Sequence, residues 1–154
     1  MQINISTCYA MQIMLYLTRS IRITSSSELS DNLCISQRYI LQIAGKLRDG
    51  GFVNAHNGMS GGYSLSIPSS DISIYDIINL MEGDMSIPEC ITRTQDCGES
   101  CIDGSLFNAL STLKDLFETY LKSLKFSRLV SMEMNGNLSE ILGLVNSHIR
   151  EFDK

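Results

Sequence analysis

Hydrophobic side chains recur at helical spacing in several stretches of the chain, and the first stretch predicts an N-terminal helix. Between Ser6 and Ser20 the apolar residues are separated by three and four positions, so that they fall on one face of a helix. We expect this face to pack into the core. Its members are Ala10, Ile13, Met14 and Leu17.

The next stretch has the pattern of two helices joined by a short turn. Ser25 and Glu28 have the spacing of a capping box and predict a short helix that ends at Leu33. Ser36 is a suitable N-cap for a second helix, which we expect to run to Asp49. This is a helix-turn-helix pattern, although any helical hairpin would look similar. The predicted buried stripe of the second helix is Ile40, Ile43, Ala44 and Leu47.

A β-hairpin is predicted directly after these helices. Residues 52–56 and 63–66 are typical of strands, and the turn-rich segment 57–62 contains three glycines. A hairpin that follows a helix-turn-helix is typical of a winged helix. We therefore predict a mainly α fold with a small β-hairpin wing.

The second half of the chain begins with a helix that Ser73 and Asp76 open and Gly83 ends. Residues 84–104 have no periodicity and contain three cysteines, and a structureless stretch of this length is uncommon unless it is functional. A long helix follows. Its apolar positions alternate at spacings of four and three, which favours pairing with a second copy over packing only on its own domain. They are Leu106, Leu110, Leu113, Phe117, Tyr120 and Leu124.

These elements predict four regions. We expect a winged helix-turn-helix DNA-binding domain over residues 1–83 and a cysteine loop over 84–104. A dimerisation helix is predicted over 105–130 and a C-terminal helical extension over 131–154, with a short helix at 138–152. The longest apolar runs are too short to span a bilayer, and the N-terminus does not resemble a signal peptide, so a cytoplasmic location is expected.

Charge is distributed unevenly along the chain. The net charge of −5 argues weakly against nucleic-acid binding, but residues 1–66 carry five basic and three acidic side chains. Residues 67–154 carry seven basic and fourteen acidic side chains. A slightly basic front half is compatible with a surface that faces double-stranded DNA.

The predicted second helix of the helix-turn-helix opens with polar side chains that suit DNA recognition. Glutamine pairs with adenine, arginine with guanine, and hydroxyl groups with phosphates. The alternative is an ordinary solvated helix face. The candidates are Ser36, Gln37, Arg38, Tyr39 and Gln42 for bases and phosphates, Lys46 and Arg48 for phosphates, and His56 and Asn57 on the wing.

Three parts of the chain together resemble a known family. The start at 1–17, the segment 35–48 and the wing Gly61-Gly62-Tyr63-Ser64-Leu65 resemble the Rrf2 regulators, the family of IscR, NsrR and CymR. The helix over 72–83 and the three-cysteine loop extend the likeness to about residue 130. This resemblance implies a homodimeric transcription regulator that binds an operator, expected to be an inverted repeat. It also implies that three loop cysteines bind an iron–sulfur cluster, with a fourth ligand from elsewhere.

The cysteines are candidates for that cluster. Cys90, Cys97 and Cys101 are separated by six and then three residues, and thiolates are the soft anionic ligands that iron–sulfur clusters need. Cys8 is the candidate fourth ligand, because it lies opposite the apolar stripe of the first helix and near the helix start. We expect it to act from the partner subunit. A two-iron cluster is favoured slightly over a four-iron cluster.

Several alternatives remain open for these residues. Cys8 could fill a gap at a dimer interface, and Cys34 is interpreted as a small core residue, with a redox thiol as its functional alternative. Zinc is disfavoured because close cysteine pairs are missing. A cluster-free repressor that senses thiol oxidation or a metabolite is the second hypothesis. A small metalloenzyme is disfavoured, since the chain has only two histidines and no catalytic arrangement with credible spacing. A DNA-independent electron carrier is a third possibility, in which the polar residues of the predicted recognition helix would be accidental.

Overall fold

The structure is a computed structural model, and it describes residues 3–58, 61–83 and 104–135. Six α-helices and two β-strands are found there. In chain order they are α1 (Ile5–Ser20), α2 (Ser26–Leu33), α3 (Gln37–Asp49), β1 (Val53–His56), β2 (Gly62–Leu65), α4 (Ile74–Glu82), α5 (Gly104–Ser123) and α6 (Phe126–Asn135). None of the helices in these ranges is both long enough and apolar enough to cross a bilayer.

The predicted helical stripes form the core. The stripe of α1 is at most 3% exposed, and that of α3 is at most 2% exposed. Helix α1 packs against α3, α4 and α6, so it lies at the centre of the fold. Phe126 at the start of α6 is fully buried in the same cluster. The mainly α fold predicted from the sequence is confirmed.

Two of the predicted helix starts differ in detail from the structure. The Ser25 side chain accepts a hydrogen bond from the Glu28 backbone N–H, at 3.1 Å, but the Glu28 carboxylate does not complete the predicted box. Arg22 and Tyr16 bind that carboxylate instead. Ser36 occupies the N-cap position of α3 without a side-chain capping bond. By contrast, Ser73 and Asp76 form a complete capping box on α4.

The wing is a two-stranded antiparallel hairpin in which Val53 lies opposite Leu65 and His56 lies opposite Gly62. A third segment extends it. Thr24, between α1 and α2, pairs with Tyr63 through two backbone hydrogen bonds of 2.8 and 2.9 Å. The wing is therefore fixed to the helix-turn-helix by backbone bonds.

The long helix predicted over residues 105–130 is interrupted. Helix α5 ends at Ser123 and α6 begins at Phe126. The Leu124 carbonyl accepts from the Ile74 N–H at 2.9 Å, and the Phe126 N–H donates to the Ile72 carbonyl at 3.1 Å. These bonds replace helical ones and turn the chain back onto the core. The inclusion of Leu124 in the predicted helical seam is therefore wrong, because Leu124 lies beyond the end of α5. The predicted C-terminal helix at 138–152 lies outside the described residues.

Candidate nucleic-acid interface

Helices α2 and α3 are joined by a three-residue turn with a fixed geometry. Cys34 has a positive φ of 55°, which ends α2 and redirects the chain. Ile35 is buried at 4% exposure, and its carbonyl accepts from the Ser30 hydroxyl at 2.7 Å. One buried side chain and one hydrogen bond therefore set the angle at which α3 leaves the turn.

The face of α3 opposite its buried stripe is polar and exposed. At 100° per residue, Arg38 and Gln42 lie nearly opposite the stripe and Lys46 lies beside them. Within the described part of the chain neither Arg38 nor Gln42 forms a hydrogen bond or ion pair with another side chain. Their donors and acceptors are free to bind another molecule. Exposed members of the predicted set on α3 and its N-cap are Ser36, Gln37, Arg38, Tyr39, Gln42 and Lys46.

Two side chains at the start of α3 are oriented by the fold. The Gln37 amide donates to the Ser26 hydroxyl on α2 at 2.9 Å. The Tyr39 ring meets the Tyr9 ring edge-on, with centroids 6.3 Å apart and the planes at 70°, although Tyr39 remains 51% exposed. These contacts order the first turn of α3 before any ligand is bound.

The end of α3 has a more complicated charge pattern than the sequence predicted. Lys46 is exposed and forms no hydrogen bond or ion pair among the described residues, although its charge contributes to the lowered pKa of Glu82. Arg48 instead pairs with Asp49, with Nη2 and Oδ1 2.8 Å apart, and the carboxylate raises the pKa of the guanidinium. The pair is exposed and screened by solvent, so Arg48 stays available, but its net field is reduced.

The two candidate wing residues lie at the exposed end of the hairpin. His56 shares a hydrogen bond of 2.9 Å with the Ser64 hydroxyl across the strands. Asn57 is exposed and precedes Gly58, whose φ of 109° makes the tight turn. The chain has no lysine or arginine between residues 49 and 92, so neither of these side chains contributes positive charge to the wing.

A polar group that was not predicted from the sequence connects α1 with α2. Arg22 binds the Glu28 carboxylate through both terminal nitrogens, at 2.6 and 3.1 Å, and Tyr16 donates to it at 3.0 Å. Arg22 first and Tyr16 second lower the pKa of Glu28. The group ties α1 to α2. The only sequence signal was the position of Glu28, which the capping-box spacing already explained.

Two of the five cysteines, Cys8 and Cys34, lie among the described residues. Cys8 lies in the first turns of α1 and is half-buried. Cys34 is exposed, so its interpretation as a core residue is wrong: its left-handed backbone in the turn directs the side chain to solvent. Cys90, Cys97 and Cys101 lie outside the described residues, and no group of three metal-ligating side chains is found within the ranges described.

A second missed residue connects the end of α4 to the start of α1. The Glu82 carboxylate accepts from the Asn4 backbone N–H at 2.8 Å, from the Asn4 amide at 2.6 Å and from the Thr7 hydroxyl. These donors, with Thr7 first, lower the pKa of Glu82. Glu82 therefore holds the point where the chain enters the cysteine segment against the turn that carries Cys8. No local pattern predicts a contact over this sequence distance.

Comparison with known proteins agrees with this geometry. Residues 3–132 match the Rrf2 family, described as iron-dependent transcriptional regulators. A relative from Neisseria meningitidis serogroup A, named as an HTH-type transcriptional regulator, is 30% identical over 125 residues, which are 79% of this chain and 81% of that protein. A Haemophilus influenzae protein with the same type of name is 31% identical over 109 residues, 70% of each chain.

Solved structures show the same fold. The global cysteine regulator CymR of B. subtilis superposes with a TM-score of 0.70 at 23% identity, covering 85% of this chain and 97% of that one. IscR of T. potens gives a TM-score of 0.69 at 20% identity, covering 90% and 93%. The family and the named relatives are DNA-binding regulators and not enzymes. With the match extending from α1 into α6, this chain is a member of the Rrf2 family of transcriptional regulators.

Proposed function

We propose that this chain is a homodimeric transcription regulator that reads its operator mainly through α3 and responds to an iron–sulfur cluster. The exposed face of α3, with unpaired Arg38 and Gln42 opposite a fully packed stripe, is the observation that carries the DNA-binding part of the proposal. Side chains in this position reach base edges when a recognition helix enters the major groove.

Each residue of the face has a role that follows from its chemistry. Arg38 suits guanine and Gln42 suits adenine, because each makes paired hydrogen bonds to those bases. Ser36, Tyr39 and Lys46 suit phosphates. His56 and Asn57 on the wing contribute little electrostatic attraction. The operator affinity should therefore depend on α3 more than on the wing.

The dimer is supported by apolar side chains on α5. Leu106, Leu113 and Phe117 are 49%, 62% and 38% exposed in the single chain. They repeat at heptad spacing, which is the pattern of a helix that pairs with another helix. Two copies joined here would present two α3 helices, which suits an inverted-repeat operator.

The cluster is supported by the cysteine pattern and by the fold shared with IscR. We propose Cys90, Cys97 and Cys101 as three ligands and Cys8 as the fourth. Cys8 supports this assignment by its half-buried position in the first turns of α1, where its sulfur remains partly accessible to a ligand. A bound cluster would supply an iron centre that reacts with oxidants and nitric oxide.

The subunit that supplies Cys8 can be argued in two ways. The resemblance implies Cys8 of the partner subunit. The Glu82 contacts with Asn4 and Thr7 hold the end of α4, which precedes the cysteine segment in sequence, beside α1 of the same chain, and this favours Cys8 of that chain. Mixed dimers decide between them: a Cys8→Ala chain paired with a Cys97→Ser chain retains one complete site only if Cys8 acts across the interface.

A cluster-free thiol switch is the second candidate, and the exposure of Cys34 favours it. This thiol lies in the turn before α3, so oxidation there would act directly on the reading helix. The structure of Staphylococcus aureus CymR described as the oxidized form has the same fold, with a TM-score of 0.66 at 24% identity.

Anaerobic purification of the full-length protein tests these proposals. Iron and sulfide analysis with an absorption spectrum should show a cluster that Cys97→Ser abolishes and Cys34→Ser retains. Operator binding, measured by gel shift with the DNA upstream of its own gene, should change when the cluster is lost. Iron-free protein whose DNA binding responds to peroxide only when Cys34 is present would replace the first candidate with the second.

A further inference from the structure

Gly45 lies in the interior of α3, where the fold gives no reason for a glycine. A glycine inside a helix destabilises it relative to alanine, because its backbone loses more freedom on folding. Gly45 has no positive φ, and a Cβ built on it would meet no atom within 4 Å. An alanine would therefore fit the protein itself without strain.

The other glycines whose surroundings are described have a structural explanation. A Cβ on Gly50 would lie 2.7 Å from the Leu80 side chain, and one on Gly62 would collide with the Thr24 backbone. Gly51, Gly58 and Gly83 have positive φ angles of 79°, 109° and 85°. Among the glycines of the described ranges whose surroundings are known, Gly45 alone lacks both kinds of explanation, which directs attention to what the exposed face of α3 binds.

The position of Gly45 on the helix indicates what lies opposite it. Arg38, Gln42 and Gly45 are spaced four and three residues apart and form one row opposite the buried stripe. Leu41 lies beside this row and is 50% exposed, an apolar side chain among polar ones. The row thus combines two base-reading side chains, a gap and an apolar neighbour.

We infer that Gly45 is the point where the α3 backbone approaches DNA most closely, and that Leu41 contacts the 5-methyl group of a thymine in the major groove. This inference rests on the proposed role of α3. A residue without a side chain lets the helix sit deeper in the groove. The thymine methyl is the apolar group that the major groove presents to a leucine at that depth.

The thymine contact is tested on the wild-type protein with chemically altered DNA. Duplexes selected from a random pool by the full-length protein are remade with deoxyuridine at one thymidine position at a time, which removes only the methyl group. At one position in each half-site the dissociation constant should rise about fourfold. The Leu41→Ala variant should bind more weakly and be insensitive to that change. Uniform tolerance of deoxyuridine, or equal sensitivity in the variant, overturns the Leu41 contact.

The close approach is tested with Gly45→Ala. Because the added methyl improves helix propensity without a clash, the melting temperature should rise by about 2–4 °C. Binding to the selected duplex should nevertheless weaken by about tenfold or more, since the methyl holds the helix away from the groove. Asn79→Ala on α4, an exposed helical position on another part of the molecule, is the matched control and should leave affinity unchanged.

Arg38→Ala separates this inference from the proposed function. If Arg38→Ala weakens binding but Gly45→Ala does not, α3 reads DNA and the close approach at Gly45 is wrong. If neither substitution changes affinity at fixed salt, the reading role of α3 itself is wrong.

Discussion

Ile21 combines a strained backbone conformation with an exposed apolar side chain. It ends α1 in the left-handed region, with φ of 51°, and its side chain is 96% exposed. A β-branched residue in this conformation brings Cβ close to the following carbonyl, which costs about 1–2 kcal/mol. No packing contact offsets that strain, so Ile21 weakens the protein locally.

Ile21→Asn should therefore raise the free energy of unfolding by about 1 kcal/mol, because asparagine tolerates the left-handed region. Urea unfolding monitored by circular dichroism measures the change. Ile23→Asn is the matched control, since Ile23 is 41% exposed and has a negative φ. Equal effects of the two substitutions would show that the loss of an exposed apolar side chain, and not the relief of backbone strain, changes the stability.

At the scale of elements, the wing depends on one close backbone contact. Gly62 lies where β2 passes Thr24, and a Cβ at Gly62 would be 2.9 Å from the Ser25 nitrogen and closer still to Thr24. These are backbone atoms, which cannot move without breaking the two Thr24–Tyr63 hydrogen bonds. The absence of a side chain at Gly62 is therefore what allows the wing to be joined to the helix-turn-helix.

Gly62→Ala should lower the free energy of unfolding by about 2 kcal/mol or more, because it forces these backbones apart. Thermal unfolding compared with Gly45→Ala gives an internal contrast, since the same added methyl has open space at Gly45. Destabilisation of equal size at both positions would contradict the assignment of close contact to Gly62.

The contact between α4 and α1 should make stability depend on pH. The pKa of Glu82 is lowered in the folded protein, so its hydrogen bonds contribute fully above the ordinary glutamate pKa of 4.5. The contribution is lost as pH falls through the lowered value. Glu82→Gln should reduce the free energy of unfolding by about 1 kcal/mol at pH 7.

The difference between wild type and Glu82→Gln should shrink as pH falls from about 4.5 through the lowered pKa of Glu82, because the carboxylate is protonated first in the unfolded and then in the folded protein. Urea unfolding at a series of pH values measures it. Asp115→Asn, which removes the same charge from an exposed position on α5, is the control and should show no such difference. If the difference in unfolding free energy between wild type and Glu82→Gln increases in acid, the predicted direction of the pH dependence is wrong.

In the molecule as a whole, α5 is a helix whose apolar side chains remain exposed in the single chain. Leu113 is 62% exposed in a helix of twenty residues. Exposed apolar rows of this kind mark protein–protein contacts. Helix α5 packs against α4, whereas α3 packs mainly against α1 and α2. We therefore expect pairing through α5 to leave both α3 helices open to DNA.

Leu113→Lys should therefore convert the proposed dimer to a monomer with little change in protomer stability, because the side chain is exposed in the single chain. Sedimentation velocity gives the mass, and operator affinity should fall with it. Thr119→Lys, exposed on the outer side of the same helix, should remain dimeric. A wild-type protein that sediments as a monomer, or a dimeric Leu113→Lys variant, would contradict the proposed interface.

Hydrophobic periodicity and capping residues were enough to predict the order of the elements in the winged helix and the core faces of its helices. The stripe of α1 and the stripe of α3 were predicted residue by residue, because helical periodicity is a local property that burial then follows. The polar opening of α3 was predicted for the same reason. Family membership was also evident from motifs in the right order.

Features that depend on contacts between residues far apart in sequence could be seen in the three-dimensional fold but not in the sequence. The end of α5 at Ser123 follows from backbone bonds to Ile72 and Ile74, and the role of Glu82 follows from Asn4 and Thr7. The exposure of Cys34 depends on how the turn is oriented against the core. A local pattern records which faces are apolar, but it contains no information about which remote backbone group will compete for a hydrogen bond.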